Sequence, residues 1–255
     1  EVTNGGKTWT FKLRKGVQFH DGWGEMTAED VKFTFEMTAK QGSAARTASD
    51  FRQVESYEIP DPYTIILRFK GPFVMFQNRV TQGLYANVNF IQSKKYITTV
   101  GEAAAERKPI GTGAWKFVKH EQGSRIEYEA VEDHWRVTPA FKKLVFLKVP
   151  EDSTRIAMLQ AGTVDIIDIG VQYAGELQAK GIKTVIVPNQ ASVGITLGGM
   201  WPTRPTYDPK VPWALPDKEK ARKVRLALNL AVDAKAIINA VLKGLGEEVP
   251  VTNYF

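Results

Sequence analysis

Residues 9–22 read Trp9-Thr-Phe-Lys-Leu-Arg-Lys-Gly-Val-Gln-Phe-His-Asp-Gly22, and Thr27-Ala-Glu-Asp-Val31 follows shortly after. From Thr8 the chain alternates, placing Trp9, Phe11 and Leu13 on one face and Thr10, Lys12 and Arg14 on the other, the period of a half-buried strand. Gly16 and the Asp21-Gly22 pair punctuate the stretch. Thr27 then offers a hydroxyl N-cap and Asp30 a carboxylate at N3, ahead of Val31, Phe33, Phe35 and Met37, so a helix is expected to start at Thr27.

Outward from this stretch the same reasoning continues. Tyr57-Glu58-Ile59 and Tyr63 to Phe69 flank Pro60-Asp61-Pro62 and read as a hairpin. Three strand-like runs follow Gly111-Thr112-Gly113: Ala114 to Lys119, Arg125 to Val131 and Lys143 to Val149. Asp152-Ser153 caps a helix closed by Gly162, ahead of a short apolar strand, Val164 to Ile167. A helix from Val171 to Lys180 ends at Gly181, with strands expected at Lys183 to Val187 and Ala191 to Leu197. This alternation predicts an α/β layer architecture. Gly198-Gly199 opens a Pro- and Trp-rich connector, Met200 to Pro216, which is the expected boundary. Asp217 and Asp233 each read as an N-cap, and Gly244 as the terminator of the second helix.

The chain has 255 residues, 43% of them hydrophobic, enough for one large domain or two modest ones. It lacks cysteine, which removes disulfides, thiolate nucleophiles and Cys-ligated metals from consideration. The net charge of +6 is spread evenly: 13 basic and 10 acidic residues precede residue 101, leaving 21 and 18 for the remainder. Without a basic patch or a nucleic-acid module, no nucleic-acid partner is expected.

Catalytic patterns are missing too. His20, His120 and His134 stand far apart in sequence, with no spacing that places two imidazoles on one metal, and no Gly-x-Ser-x-Gly elbow occurs. His20 is read as a turn residue. Asp165 and Asp168 are carboxylates at a strand end, where they more often orient a loop than transfer protons. Gly111-Thr112-Gly113 lacks the third glycine of a dinucleotide fingerprint and precedes a strand instead of opening a helix. Trp9, Trp115 and Trp135 sit on or beside strand patterns that need a buried face and are assigned to packing.

Several segments, in order, resemble the family 5 extracellular solute-binding proteins, the dipeptide/oligopeptide-binding class that serves ABC importers. The most specific is the 9–22 stretch with Thr27–Val31. Pro109-Ile-Gly-Thr-Gly113 is similar to the family's Pro-x-Gly-Thr-Gly-Pro-Tyr element, with Ala114-Trp115 in place of Pro-Tyr. Asp133-His-Trp135 with Phe141–Phe146, Ser153–Asp165, and Lys223–Asp233 with Ala236–Ile238 complete the series.

The resemblance implies an α/β, type II periplasmic-binding-protein-like fold with one nearly complete lobe and the start of a second. Residues 1–190 would form most of lobe one, 191–204 the interlobe crossing and 205–255 the start of lobe two. It further implies an internal stretch of a longer protein, whose export signal and ligand anchor lie elsewhere. The expected role is a non-enzymatic, extracytoplasmic substrate-binding component of an ABC importer, capturing peptides by hinge closure. Oligosaccharide or metal-chelate binding is the alternative, and a cleft hydrolase a more distant one. The partners are a peptide or small-molecule ligand and the transporter permease, with the membrane reached only through that permease or a lost lipid anchor. No cofactor and no metal is implied.

Candidate ligand contacts are Gly198, Gly199, Met200 and Trp201, the loop residues Asp168 and Gly170, and Trp23. The glycines would let a ligand backbone approach, and Trp201 would wall a cleft; equally, Gly198-Gly199 can simply kink the connector and Trp201 pack in a core. Leu228, Ile237 and Val241 are expected to be partly exposed or paired with another chain.

Overall fold

A computed structural model describes residues 1–45, 47–80, 90–186 and 197–247, and they divide into two compact units, Glu1–Lys148 and Val149–Phe255. In the first unit, β1 (Val2–Thr3), β2 (Thr8–Lys12), β3 (Val54–Asp61) and β4 (Thr64–Phe69) form an antiparallel sheet in the order β1-β2-β4-β3. The alternation of β2 sets its register: Trp9 lies opposite Leu67 and Phe11 opposite Ile65, so the apolar faces of both strands coincide. Pro60 falls inside β3, which it can do because β3 is an edge strand, and the register slips there between Glu58 and Asp61. The hairpin turn is thus narrower than the sequence suggested.

The sheet's apolar face carries α1 (Ala28–Ala39), α2 (Ala48–Phe51) and α3 (Phe76–Val80). Trp9, Phe11, Phe51, Phe69 and Phe73 surround the fully buried Phe76, with Phe69 4.9 Å and Trp9 5.6 Å from its ring centre, and Phe35 stacks on Phe51. At the head of α1 the capping box forms, since Asp30 accepts the Thr27 N–H at 2.9 Å. The buried Asp30 carboxylate also accepts the N–H of Lys94 at 2.9 Å, the first residue of α4 (Lys94–Val100), so one side chain holds two helix starts. Helix α5 (Glu102–Arg107) follows.

A second antiparallel sheet, β5 (Trp115–Glu121), β6 (Arg125–Ala130) and β7 (Lys143–Leu147), completes the first unit in sequential order. All three strands fall where the alternation placed them. Their paired residues put Phe117, Tyr128 and Leu144 on one face together with Ile126 and Phe146, and Phe146 is more than half exposed.

The second unit holds α6 (Asp152–Gln160), a 3-10 turn at Val171–Tyr173, α7 (Ala174–Ala179), α8 (Lys218–Ala231) and α9 (Ala234–Leu242). Asp217 and Asp233 cap α8 and α9 as expected, accepting from Lys220 and Ala236. Two expected strands did not form. Residues 164–167 and 183–186 run without strand pairing among the described residues, and Ile166 and Val185 are largely exposed; an apolar run becomes a strand only against a partner. The strand expected at 191–197 lies outside the described residues except for Leu197. Leu228, Ile237 and Val241 are 42%, 52% and 59% exposed, the partial exposure expected of them.

Candidate functional site

The segment from Gly198 onward is a closed loop and not a slack linker. Gly198 O accepts the Trp213 indole N–H at 2.7 Å, Gly199 O the Asp208 N–H at 3.0 Å, and Met200 O the Leu215 N–H at 3.0 Å. The Tyr207 hydroxyl bonds to Leu215 O. Gly199 sits at φ +77° facing Thr206 and Asp208, a backbone conformation that favours glycine. Loops tied by their own side chains in this way are frequently functional. Trp201 stands on this frame with 47% of its surface exposed, and Met200 touches Arg225 through its sulfur at 4.0 Å.

The other second-unit candidates lie ahead of α7. Asp168 is exposed, as is Asp165, and Gly170 caps the 3-10 turn that packs on α9. Trp23 belongs to the first unit. Its half-buried ring meets Tyr96 edge-on at 4.8 Å, and with Glu25, Asp30, Ser93 and Lys94 it lines an open cleft of about 290 Å³.

Sequence reasoning missed a different cluster. His20, assigned to a turn, does occupy one, with Asp21 at φ +57°, yet its buried ring also grips the loop Gly111-Thr112-Gly113. Its Nδ1 accepts the Gly111 N–H at 3.2 Å and its Nε2 lies 2.8 Å from Gly113 O. His134 Nε2 lies 3.0 Å from Thr112 O, and the Trp135 indole donates to the same oxygen at 2.8 Å. Trp135 is therefore not the core residue expected: 39% exposed, it spends its N–H on Thr112 and carries the Arg14 guanidinium 5.3 Å above its ring. Trp115 is half-buried against Phe141, and Trp9 is buried.

Asp21 completes the cluster, 3.2 Å from Lys116 Nζ and 3.4 Å from Lys108 Nζ. Burial pushes its carboxyl up, but the hydrogen bonds and charges of Lys116 and Lys108 together outweigh that and hold it below the ordinary carboxylate range. Lys116 is raised, chiefly by its hydrogen bond to Glu129 and then by that to Asp21. The motifs at 20–22, 109–113 and 133–135 were each visible in the sequence; no local pattern announced that they meet. Among the described residues no group of three or more His, Asp or Glu stands close enough to hold a metal ion, and no helix is long and apolar enough to cross a membrane.

A family model described as bacterial extracellular solute-binding proteins, family 5 Middle, matches residues 1–252. The chain is similar to the oligopeptide-binding protein AppA of Bacillus subtilis strain 168, at 28% identity over 96% of this chain and 42% of the relative. It is 30% identical to the dipeptide-binding protein of Escherichia coli K12, over 96% of this chain and 46% of that one. The structure of Bacillus subtilis AppA in complex with a nonapeptide superposes with a TM-score of 0.67 at 26% identity, covering 98% of this chain and 47% of AppA. The chain thus spans a little under half the length of these relatives.

Proposed function

The chain belongs to the bacterial extracellular solute-binding proteins of family 5, and from that membership we propose that it is part of the substrate-binding component of an ABC importer that captures peptides. The protein works in the periplasm or outside the cell, without catalytic turnover, and hands its ligand to a permease. What supports a peptide over other solutes is the similarity to AppA, whose structure in complex with a nonapeptide matches along nearly the whole of this chain.

Capture proceeds by hinge closure. Residues 1–190 supply most of lobe one, 191–204 the crossing and 205–255 the start of lobe two. Affinity comes from the contacts that exist only in the closed state, so ligand shifts the population toward closure by its differential affinity for that state. An extended peptide is held mainly through backbone hydrogen bonds and charges at its termini, which leaves side-chain selectivity loose. Within the second unit, Trp201, exposed on its tied loop, and the adjoining Gly198, Gly199 and Met200 are the proposed wall, with Asp168 and Gly170 as further proposed contacts; in the first unit the proposed contact is Trp23.

A thermal-shift series on the full-length protein tests this reading. Di- to nonapeptides are expected to raise the melting temperature in a concentration-dependent way with no product released. Stabilisation by oligosaccharides or metal chelates but by no peptide would replace the peptide assignment. Steady hydrolysis of a ligand, abolished in Asp168→Asn, would replace the binding-protein reading altogether.

A further inference from the structure

Two dipeptides in the chain have the chemistry to close a five-membered succinimide ring, Asn4-Gly5 and Asp21-Gly22, and each is the only one of its kind in the sequence. Ring closure brings the next residue's amide nitrogen to the side-chain carbonyl carbon, and glycine, without a Cβ, leaves that approach clear. The two backbones are alike: Asn4 and Gly5 sit at φ +52° and +60°, Asp21 and Gly22 at +57° and +73°. The side chains differ. Asp21 is a carboxylate held by Lys116 at 3.2 Å and Lys108 at 3.4 Å, and an ionised carboxylate is a poor electrophile. Asn4 is exposed, its neutral carboxamide bonds to nothing among the described residues, and no atom stands within 4 Å of where a Gly5 Cβ would be. Asparagine is among the thermolabile residues for this reason.

The surroundings of Asn4 decide what its reaction would disturb. Asn4–Gly6 is the 3-10 turn that joins β1 to β2, closed by the Lys7 N–H on Asn4 O at 3.2 Å. On one side the turn is fastened to the core. Gly6 is buried, its oxygen accepts the Trp9 indole N–H at 3.2 Å and the Phe73 N–H at 3.0 Å, and Lys7 O accepts the Phe69 N–H at 2.8 Å. On the other side stands β1, a two-residue edge strand with Val2 opposite Trp9 and Thr3 opposite Thr8, supported by the Thr10 N–H on Glu1 O at 2.9 Å. So short an edge opens locally far more readily than the core does, and that opening gives the turn the freedom ring closure needs.

We propose that Asn4-Gly5 is a spontaneous modification site, which converts to isoaspartate in the folded protein and releases β1 from the four-stranded sheet, while Asp21-Gly22 stays intact. The Gly5 nitrogen, its proton lost to hydroxide, bonds to Asn4 Cγ; the Cγ–Nδ2 bond breaks, and the side-chain nitrogen leaves as ammonia with a proton taken from water. Water then opens the ring at either carbonyl. Opening at Cγ gives aspartate. Opening at the former main-chain carbonyl gives isoaspartate, in which the chain runs through Cβ and Cγ, is one methylene longer, and carries a free α-carboxylate. The Asn4 carbonyl that accepts the Lys7 N–H thereby leaves the main chain. Gly6 and Lys7 are pinned to Trp9, Phe73 and Phe69, so the added length is taken up on the β1 side.

The experiment ages the full-length protein at mildly alkaline pH, below its melting transition, and locates isoaspartate by peptide mapping and by enzymatic carboxyl methylation. Amide hydrogen exchange follows the backbone. Isoaspartate is expected at position 4 well before position 21. In the modified fraction, protection of the Thr10 amide should fall by about tenfold while that of Phe69 is unchanged. Asn4→Gln, which would have to close a six-membered ring, should remove the early isoaspartate. Freshly prepared Asn4→Asp adds the charge without the methylene and should keep Thr10 protected. Modification of Asp21 ahead of Asn4 would overturn the proposal, as would a position 4 that stays unmodified or a modified protein in which Thr10 keeps its protection. The wild-type time course decides the matter even where a variant fails to fold.

Discussion

The indole N–H of Trp135 donates to the carbonyl oxygen of Thr112 at 2.8 Å, tying the turn after β6 to the loop before β5. The same oxygen receives His134 Nε2, so the carbonyl uses both lone pairs. Trp135→Phe keeps an aromatic face under Arg14 and removes only the donor. Because Thr112 O retains its second partner, the loss should be that of one ordinary hydrogen bond, about 1 kcal/mol in urea unfolding. A loss above about 3 kcal/mol would mean that the ring is packed as a core residue after all.

Phe76 opens α3 with its ring fully buried and Trp9, Phe51, Phe69 and Phe73 around it. Phe76→Ala should cost about 3–5 kcal/mol, the range for emptying an aromatic site in a core. Phe76→Leu should recover more than half of that, since most of the volume returns. Chemical denaturation of the three proteins side by side reads both numbers.

Asp21 gives the first unit a predictable acid response. Its carboxyl is held below the ordinary value in the folded state, so near and below the unfolded value of about 3.9 the unfolded chain binds more protons. The stabilisation is therefore complete above roughly pH 5 and is lost as pH falls through the folded value. Asp21→Asn should be about 1 kcal/mol less stable at pH 7, the usual worth of a partly exposed ion pair, and the gap should narrow as pH falls below about 5. Raising salt at pH 7 should narrow it as well. A gap that widens in acid would reverse the sign of this argument.

Where the chain's own neighbours supply the partner, the sequence was a good guide. The alternation at Trp9, Phe11 and Leu13 finds β4, the strand it pairs with, and the Thr27–Asp30 pattern is a capping box because all its groups lie within one turn. The second hydrogen bond of Asp30, to Lys94 N, was invisible because the partner lies 64 positions away. The same holds for His20 with Gly111 and Gly113. Residues 164–167 and 183–186 show the converse: these strand-like runs find no pairing partner among the described residues and form no strand, and Ile166 and Val185 are left largely exposed. Local chemistry is written locally, whereas a site built from distant loops appears only after folding.

Trp201 and Trp213 share one loop but differ in what they do there, which separates binding from scaffolding. Trp213 is half-buried and donates its indole N–H to Gly198 O, closing the loop at its base, whereas Trp201 is exposed. Trp213→Phe should loosen the loop and cost about 1 kcal/mol of stability, the worth of the lost bond. Trp201→Ala should leave the ligand-free melting temperature nearly unchanged, as surface substitutions away from packed or bonded groups do, within about 0.5 kcal/mol. If Trp201 walls the ligand site, the same change should reduce peptide affinity about tenfold, read by isothermal calorimetry on the full-length protein, since an aromatic contact of this kind is worth roughly 0.5–1.5 kcal/mol beyond its buried area. Unchanged affinity would remove Trp201 from the site, and a large drop in ligand-free stability would assign it to packing.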